Sequence, residues 1–222
     1  MSKILISGYY GFANAGDEAM LTAIIESLRQ VEKNVELTVL SGNPEDTAAK
    51  HQVCSVYRFN PLGIIQAMKD SELIISGGGS LLQDVTSKRS LLYYLSIIGL
   101  GKFFGKKVML FAQGIGPIRA KWARKLTSLV CNEADLITVR DSESAAELIE
   151  MGVKPEKITV TADSVLSLNP VTKECGQYLL QEAGVDLTKP VIGISVRPWS
   201  GDSQCFQVLA EAASKLQQRY GC

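Results

Sequence analysis

Ile4-Leu5-Ile6-Ser7 leads straight into Gly8-Tyr9-Tyr10-Gly11-Phe12-Ala13-Asn14-Ala15-Gly16-Asp17-Glu18, and an amphipathic segment follows to Gln30. A short apolar run reads as a buried strand, and apolar residues spaced by three and four read as a helix. The glycine-rich joint lets the chain turn tightly between the two. Further along, the same alternation recurs. Strand-like runs are Ile4–Ser7, Val35–Leu40, Val53–Tyr57, Leu73–Ser76, Val108–Ala112, Leu136–Val139, Ile158–Val160 and Val191–Val196. Helix-like segments are Glu18–Gln30, Pro61–Lys69, Leu91–Phe104, Arg119–Asn132, Ser142–Met151 and Ser203–Arg219. Nearly continuous apolar strands separated by helices predict a parallel sheet covered on both faces, a doubly wound α/β fold.

Punctuation agrees. Asn60-Pro61 is a cap followed by proline at the first helical position, and Gly152 sits just past the end of a helix. Residues 1–168 read as one complete α/β domain. Residues 169–222 read as a linker with a helix within 170–190, then the strand Val191–Val196, an Arg197-Pro198-Trp199 loop and a last helix. A further doubly wound domain needs on the order of 100 residues, so this second domain is expected to be incomplete within the 222 residues.

Composition excludes several classes. Twenty-three basic and 23 acidic residues cancel, so no net field draws a nucleic acid. Five scattered cysteines form no CxxC pair, which argues against a zinc site and a disulfide framework and for a reducing, cytoplasmic setting. No secretory leader is read at Met1-Ser2-Lys3. The apolar stretch Leu91–Leu100 falls short of the roughly 20 residues that span a bilayer. It reads as a buried helix. The alternative is a peripheral membrane contact at the inner face through Phe103, Phe104 and the nearby lysines.

In open parallel sheets ligands sit at the carboxyl ends of the strands, so the loops there carry the candidates. The first loop, with Gly11, Asn14, Gly16 and Asp17, ends at a helix N-terminus, which favours an anion. It matches neither G-x-G-x-x-G nor a Walker A loop. Asp17 is either a helix cap or a general base at the mouth of a cleft. Gly77-Gly78-Gly79, with Gln83 beyond, and Gln113-Gly114-Ile115-Gly116 offer close backbone approach to a ligand. Arg140 and Arg197 follow strands, where a guanidinium grips a phosphate or carboxylate bidentately. For Arg140 a salt bridge to a nearby acid is the competing reading. Ala162-Asp163-Ser164 is a weaker acidic candidate. His51, the single histidine, reads as solvated surface. No clustered metal ligands stand out, and no metal is expected.

Taken in order, Gly8-Tyr9-Tyr10-Gly11 through Asn14-Ala15-Gly16-Asp17-Glu18, Ser76-Gly77-Gly78-Gly79 with Gln83-Asp84, Gln113-Gly114-Ile115-Gly116-Pro117 and Val139-Arg140-Asp141 resemble the polysaccharide pyruvyl transferase family. Within it, they are most similar to members acting on a secondary cell-wall polymer that anchors a surface layer. The resemblance implies a GT-B-like enzyme with two facing Rossmann-like domains. It implies transfer of a pyruvyl group from phosphoenolpyruvate to a sugar, as a 4,6-ketal. The implied acceptor is N-acetylmannosamine in a lipid-linked precursor, and phosphoenolpyruvate is a co-substrate rather than a bound cofactor. Asp17 takes the acid/base role in this resemblance and Arg140 the donor-anion role. The family's histidine and basic residue from its second domain have no counterpart in these 222 residues. The chain by itself is therefore expected to bind donor weakly, to turn nothing over, and to associate with itself. A nucleotide-sugar glycosyltransferase of the same architecture and a non-catalytic binding fragment remain as alternatives. A dinucleotide oxidoreductase is distant, because the fingerprint is absent.

Overall fold

The computed structural model describes residues 2–196 and 203–221. Two compact units emerge, Met1–Leu168 and Asn169–Cys222. In the first, seven strands form one parallel sheet: β1 (Lys3–Tyr10), β2 (Glu36–Ser41), β3 (Cys54–Tyr57), β4 (Leu73–Gly77), β5 (Lys107–Gln113), β6 (Leu136–Val139) and β7 (Ile158–Val160). Their order is β3-β2-β1-β4-β5-β6-β7. The helices between them are α1 (Ala15–Val31), α2 (Pro44–His51), α3 (Pro61–Asp70), α4 (Lys88–Phe103), α5 (Lys121–Glu133) and α6 (Ser142–Glu150). The fold is α/β, Rossmann-like and GT-B-like.

Strand side chains alternate between two buried layers. Leu5, Leu40, Ile74, Leu110 and Ile137 join one core with Ile64 and Met68 of α3, Tyr94 and Ile98 of α4, Cys131 of α5 and Leu148 of α6. Ile4, Ile6, Val39 and Ile75 join the other with Leu21, Ile24 and Ile25 of α1. Burial on both faces is why these strands read as continuous apolar runs. Over β5 and β6 the α1 side is less well covered. There, half-buried Met109, Phe111 and Thr138 line a groove with Ser27, residues 161–164, Leu166 and Ser167.

Strand order reverses between β1 and β4. The chain leaves β1 toward β2 and β3 on one side, and leaves β4 toward β5, β6 and β7 on the other. The loops after β1 and β4 therefore diverge over a crevice, as at other topological switch points.

Three expectations need correction. A helix, α2, occupies Pro44–His51, where none was read; it is short and polar, with Thr47 its buried residue. Residues 191–196 form no strand. A strand needs a neighbour for its ladder, and no strand lies in the second unit among the described residues. The second unit consists instead of α7 (Lys173–Glu182), α8 (Ser203–Tyr220) and irregular chain. Finally, His51 is not solvated. Its side chain is only 10% exposed and its Nε2 lies 3.7 Å from Glu18 Oε2.

Candidate functional site

At the carboxyl edge of the sheet the first loop is held by its own side chains. Asn14 caps α1, accepting from the Gly16 amide at 3.1 Å. The cap reading of Asp17 is thus displaced by Asn14, three positions earlier. Glu18 reaches back, and its Oε1 accepts from the Gly11 amide at 2.8 Å. The dipole end of α1 therefore carries two acids, Asp17 and Glu18. That is a poor seat for a polyanion, contrary to the expectation drawn from the loop alone.

Beneath the loop, the buried Tyr10 hydroxyl donates to the Gly77 carbonyl at 2.5 Å. Burial pushes its ionisation well above the ordinary tyrosine value, and the nearby Asp17 adds to this. Tyr10 thus stays a neutral donor that pins the second glycine loop. In that loop Gly79 adopts φ +67°, and a Cβ there would lie 3.0 Å from Asp17 Oδ1. The half-buried Asp17 carboxylate lies directly over the Gly79 backbone.

The second and third loops are zipped together. Gly114 N donates to Gly79 O at 3.1 Å, Gly116 N to Leu82 O at 2.8 Å, and Asp84 N to Pro117 O at 3.3 Å. The Gly114 and Gly116 amides are therefore consumed within the protein, not presented to a ligand. Gln83 also turns inward on its own loop, accepting from Val85 N at 2.8 Å and Thr86 N at 3.0 Å. Gln113 is fully buried. Its Nε2 donates to Ser76 Oγ at 2.9 Å, while its Oε1 has no partner among the described residues.

Arg140, just after β6, answers to both of its readings. Its Nη1 lies 3.2 Å from Asp163 Oδ2 and its Nε 3.4 Å from Asp141 Oδ2. Its Nη2 donates to Ser80 Oγ at 3.3 Å. The guanidinium packs on Gly114, where a Cβ would lie 2.8 Å from Cζ. About a third of the side chain stays exposed. Asp141 is held below the usual carboxylate range, first by the Ser144 amide and hydroxyl and then by Arg140. Asp163, the weak sequence candidate, is thus the strand-end acid that fixes Arg140. Because Gly79 and Ser80 are consecutive, the Asp17 carboxylate and the Arg140 guanidinium address the same turn of backbone. Arg197 lies outside the described residues.

One arginine at the same edge of the sheet escaped the sequence reading. Arg58 follows β3, buried to 4% exposure. Five aromatic rings surround its guanidinium: Tyr93 at 4.4 Å, Phe59 at 5.1 Å, Phe12 at 5.3 Å, Tyr94 at 5.4 Å and Tyr9 at 6.0 Å. Tyr9, at the end of β1, and Phe12, in the first loop, stack at 4.3 Å. The criterion that singled out Arg140 and Arg197, an arginine just after a strand, also picks Arg58. No group of three or more metal-ligating side chains occurs among the described residues.

The model of the polysaccharide pyruvyl transferase family matches residues 14–202, which takes in most of these loops. The chain belongs to that family. No curated protein is matched. Among solved structures, UDP-GlcNAc 2-epimerase from Neisseria meningitidis bound to UDP-GlcNAc is 13% identical with a TM-score of 0.60, covering 100% of this chain and 64% of that one. HepE from Anabaena in complex with UDP and glucose is 14% identical with a TM-score of 0.57, covering 95% and 58%. A glycosyltransferase from Rickettsia africae is 14% identical with a TM-score of 0.57, covering 98% and 58%. At such identities the likeness shows the fold alone. The chain spans less than two thirds of each of these structures. In the family member described here, no helix among the described residues is long and apolar enough to cross a membrane.

Proposed function

We propose that this chain carries the donor-binding part of a pyruvyl transferase site that moves a pyruvyl group from phosphoenolpyruvate to a sugar diol as a 4,6-ketal. One observation supports it above the rest: an acid, Asp17, and a held cation, Arg140, converge on the Gly79-Ser80 turn at the switch point of a family domain. The N-acetylmannosamine of a lipid-linked cell-wall precursor is the acceptor we favour.

The reaction balances without a co-reactant. Protonation of the enol methylene makes a methyl group and leaves an oxocarbenium-like carbon. One sugar hydroxyl attacks that carbon, the bond to phosphate oxygen breaks, and the second hydroxyl closes the ketal. Of the two hydroxyl protons, one ends on the methyl group and the other on phosphate. Asp17 is suited to take a hydroxyl proton. Arg140 is suited to the donor's carboxylate or phosphate, because its planar fork offers paired N–H groups. Asp141 and Asp163 hold it in place. They also offset its charge, so the donor must displace or share them.

The test is to incubate the protein with phosphoenolpyruvate and a lipid-linked N-acetylmannosamine acceptor, following phosphate release and the acceptor's mass. Asp17→Asn is expected to keep the fold and lose turnover by about 10²–10⁴-fold, the usual weight of a general base. Unchanged turnover in folded Asp17→Asn protein rules out the base role. Several neighbours in fold were solved with UDP or UDP-sugars, so a UDP-sugar arm belongs in the assay. Sugar transfer from it, with phosphoenolpyruvate untouched, would replace this reading by a glycosyltransferase.

A further inference from the structure

A buried cation normally has an acid beside it, because desolvating a lone charge costs several kcal/mol. Arg58 has none. It takes part in none of the ion pairs among the described residues. Its Nη1 makes a long 3.4 Å bond to the Tyr94 hydroxyl, and its Nε is buried with no acceptor. The ring faces around it offset part of the desolvation, but they do not receive the in-plane Nε–H. The Tyr93 hydroxyl beside it is buried as well, with the Arg58 guanidinium as its polar neighbour.

Arg58 and Tyr93 both line a cavity of about 300 Å³ between α3 and α4. The rest of its wall is mostly hydrocarbon: Pro61, Ile64, Ile65, Ile97 and Leu100. At the surface, exposed Leu62 of α3 and Leu92, Leu100 and Phe103 of α4 extend the apolar character. Leu92, Ser96, Leu100 and Phe103 recur every three or four residues and so form one helix face.

We propose that this groove binds an anionic amphiphile, a single phosphate or carboxylate on a hydrocarbon chain, with its head on Arg58 and its chain between α3 and α4. Charge complementarity selects the head, since the Arg58 guanidinium lines the groove with no carboxylate paired to it, and an anionic head group supplies the missing counter-charge. The lining selects the tail. A polar, multiply charged ligand would lose its water against isoleucines and gain nothing in return. At about 30 Å³ per water-sized group, the cavity holds on the order of ten heavy atoms. The remaining chain lies along the apolar α4 face. Tyr9 and Phe12, which pack around Arg58, lie at the end of β1 and in the loop that follows it, so a head group here lies beside the first glycine loop. The inference goes beyond the transfer reaction, and its test needs no donor, so either reading can fail without the other.

The probe is dodecyl phosphate below its micelle concentration, followed by equilibrium dialysis, with stoichiometry from native mass spectrometry. One molecule per chain is expected, bound at least tenfold more tightly than dodecanol or inorganic phosphate. Ser96→Trp fills the groove from an exposed position and is expected to weaken binding at least tenfold while leaving the circular dichroism unchanged. Arg58→Met is expected to erase the preference for the phosphate over the alcohol. Should Arg58→Met fail to fold, Ser96→Trp alone decides. Vesicles of anionic lipid that compete with dodecyl phosphate identify the natural source as a bilayer lipid. Vesicles that do not compete identify a free or carrier-bound amphiphile. Equal binding of dodecanol and dodecyl phosphate, or full binding by Ser96→Trp, overturns the proposal.

Discussion

Gly114 has no room for a side chain. A methyl group there would stand 2.6 Å from Ser80 Oγ and 2.8 Å from the Arg140 guanidinium, so the guanidinium must swing away. Gly114→Ala is therefore expected to weaken phosphoenolpyruvate binding several-fold with little loss of fold. Calorimetry of donor binding beside a thermal melt checks this, and unaltered affinity would show that Arg140 is not the donor's anchor. Arg140→Lys is expected to weaken the donor too, because a point charge cannot face Ser80, Asp141 and Asp163 as a planar fork does. The glycine loops and both strand-end residues were legible in the sequence because they follow apolar runs. The Arg58 cluster was not, because its rings come from positions 9, 12, 59, 93 and 94, which only the fold brings together. The half-buried setting of His51 was hidden for a similar reason. Glu18, on another helix, shields it.

Elements are tied by acids far away in sequence. The N-cap of α5 is Ala120, whose methyl group cannot accept a hydrogen bond. Instead Asp84, from the loop after β4, accepts from the Arg119 and Ala120 amides at 2.9 Å each. These two amides, in that order, hold its carboxyl below the ordinary value. A carboxyl whose ionisation is lowered on folding stabilises the protein above its unfolded-state value, about 3.9. That contribution fades as pH falls toward the folded value. Asp84→Ala is expected to cost about 1 kcal/mol, as lost caps do, or roughly 2–4 °C in melting temperature for a chain of this size. Melts between neutral pH and about pH 3 should show the variant and wild type converging in acid. A constant gap across that range would refute the assignment. Elements were legible where burial on both faces or an amphipathic stripe marked them. The polar α2 carried neither mark. Residues 191–196 carried the apolar mark of a strand, yet sequence pattern cannot supply a neighbour to pair with.

At the scale of the molecule, both cores and the whole sheet lie within the first unit. The second unit, taken by itself, shows exposed Val171, Tyr178, Leu179, Ile192 and Ile194. A fragment ending at Leu168 is therefore expected to melt cooperatively within a few degrees of the full chain, by circular dichroism. A non-cooperative melt would mean that residues 169–222 are needed for the first unit's fold. The sheet has a further consequence. Its two outermost members, β3 and β7, have only four and three residues, and so present almost no free ladder to another molecule. Lateral strand-to-strand polymerisation is closed off at both margins. Copies that meet along these margins do so through side chains, by a contact that salt or a single substitution can undo, rather than through a shared backbone ladder that would lock them into fibres.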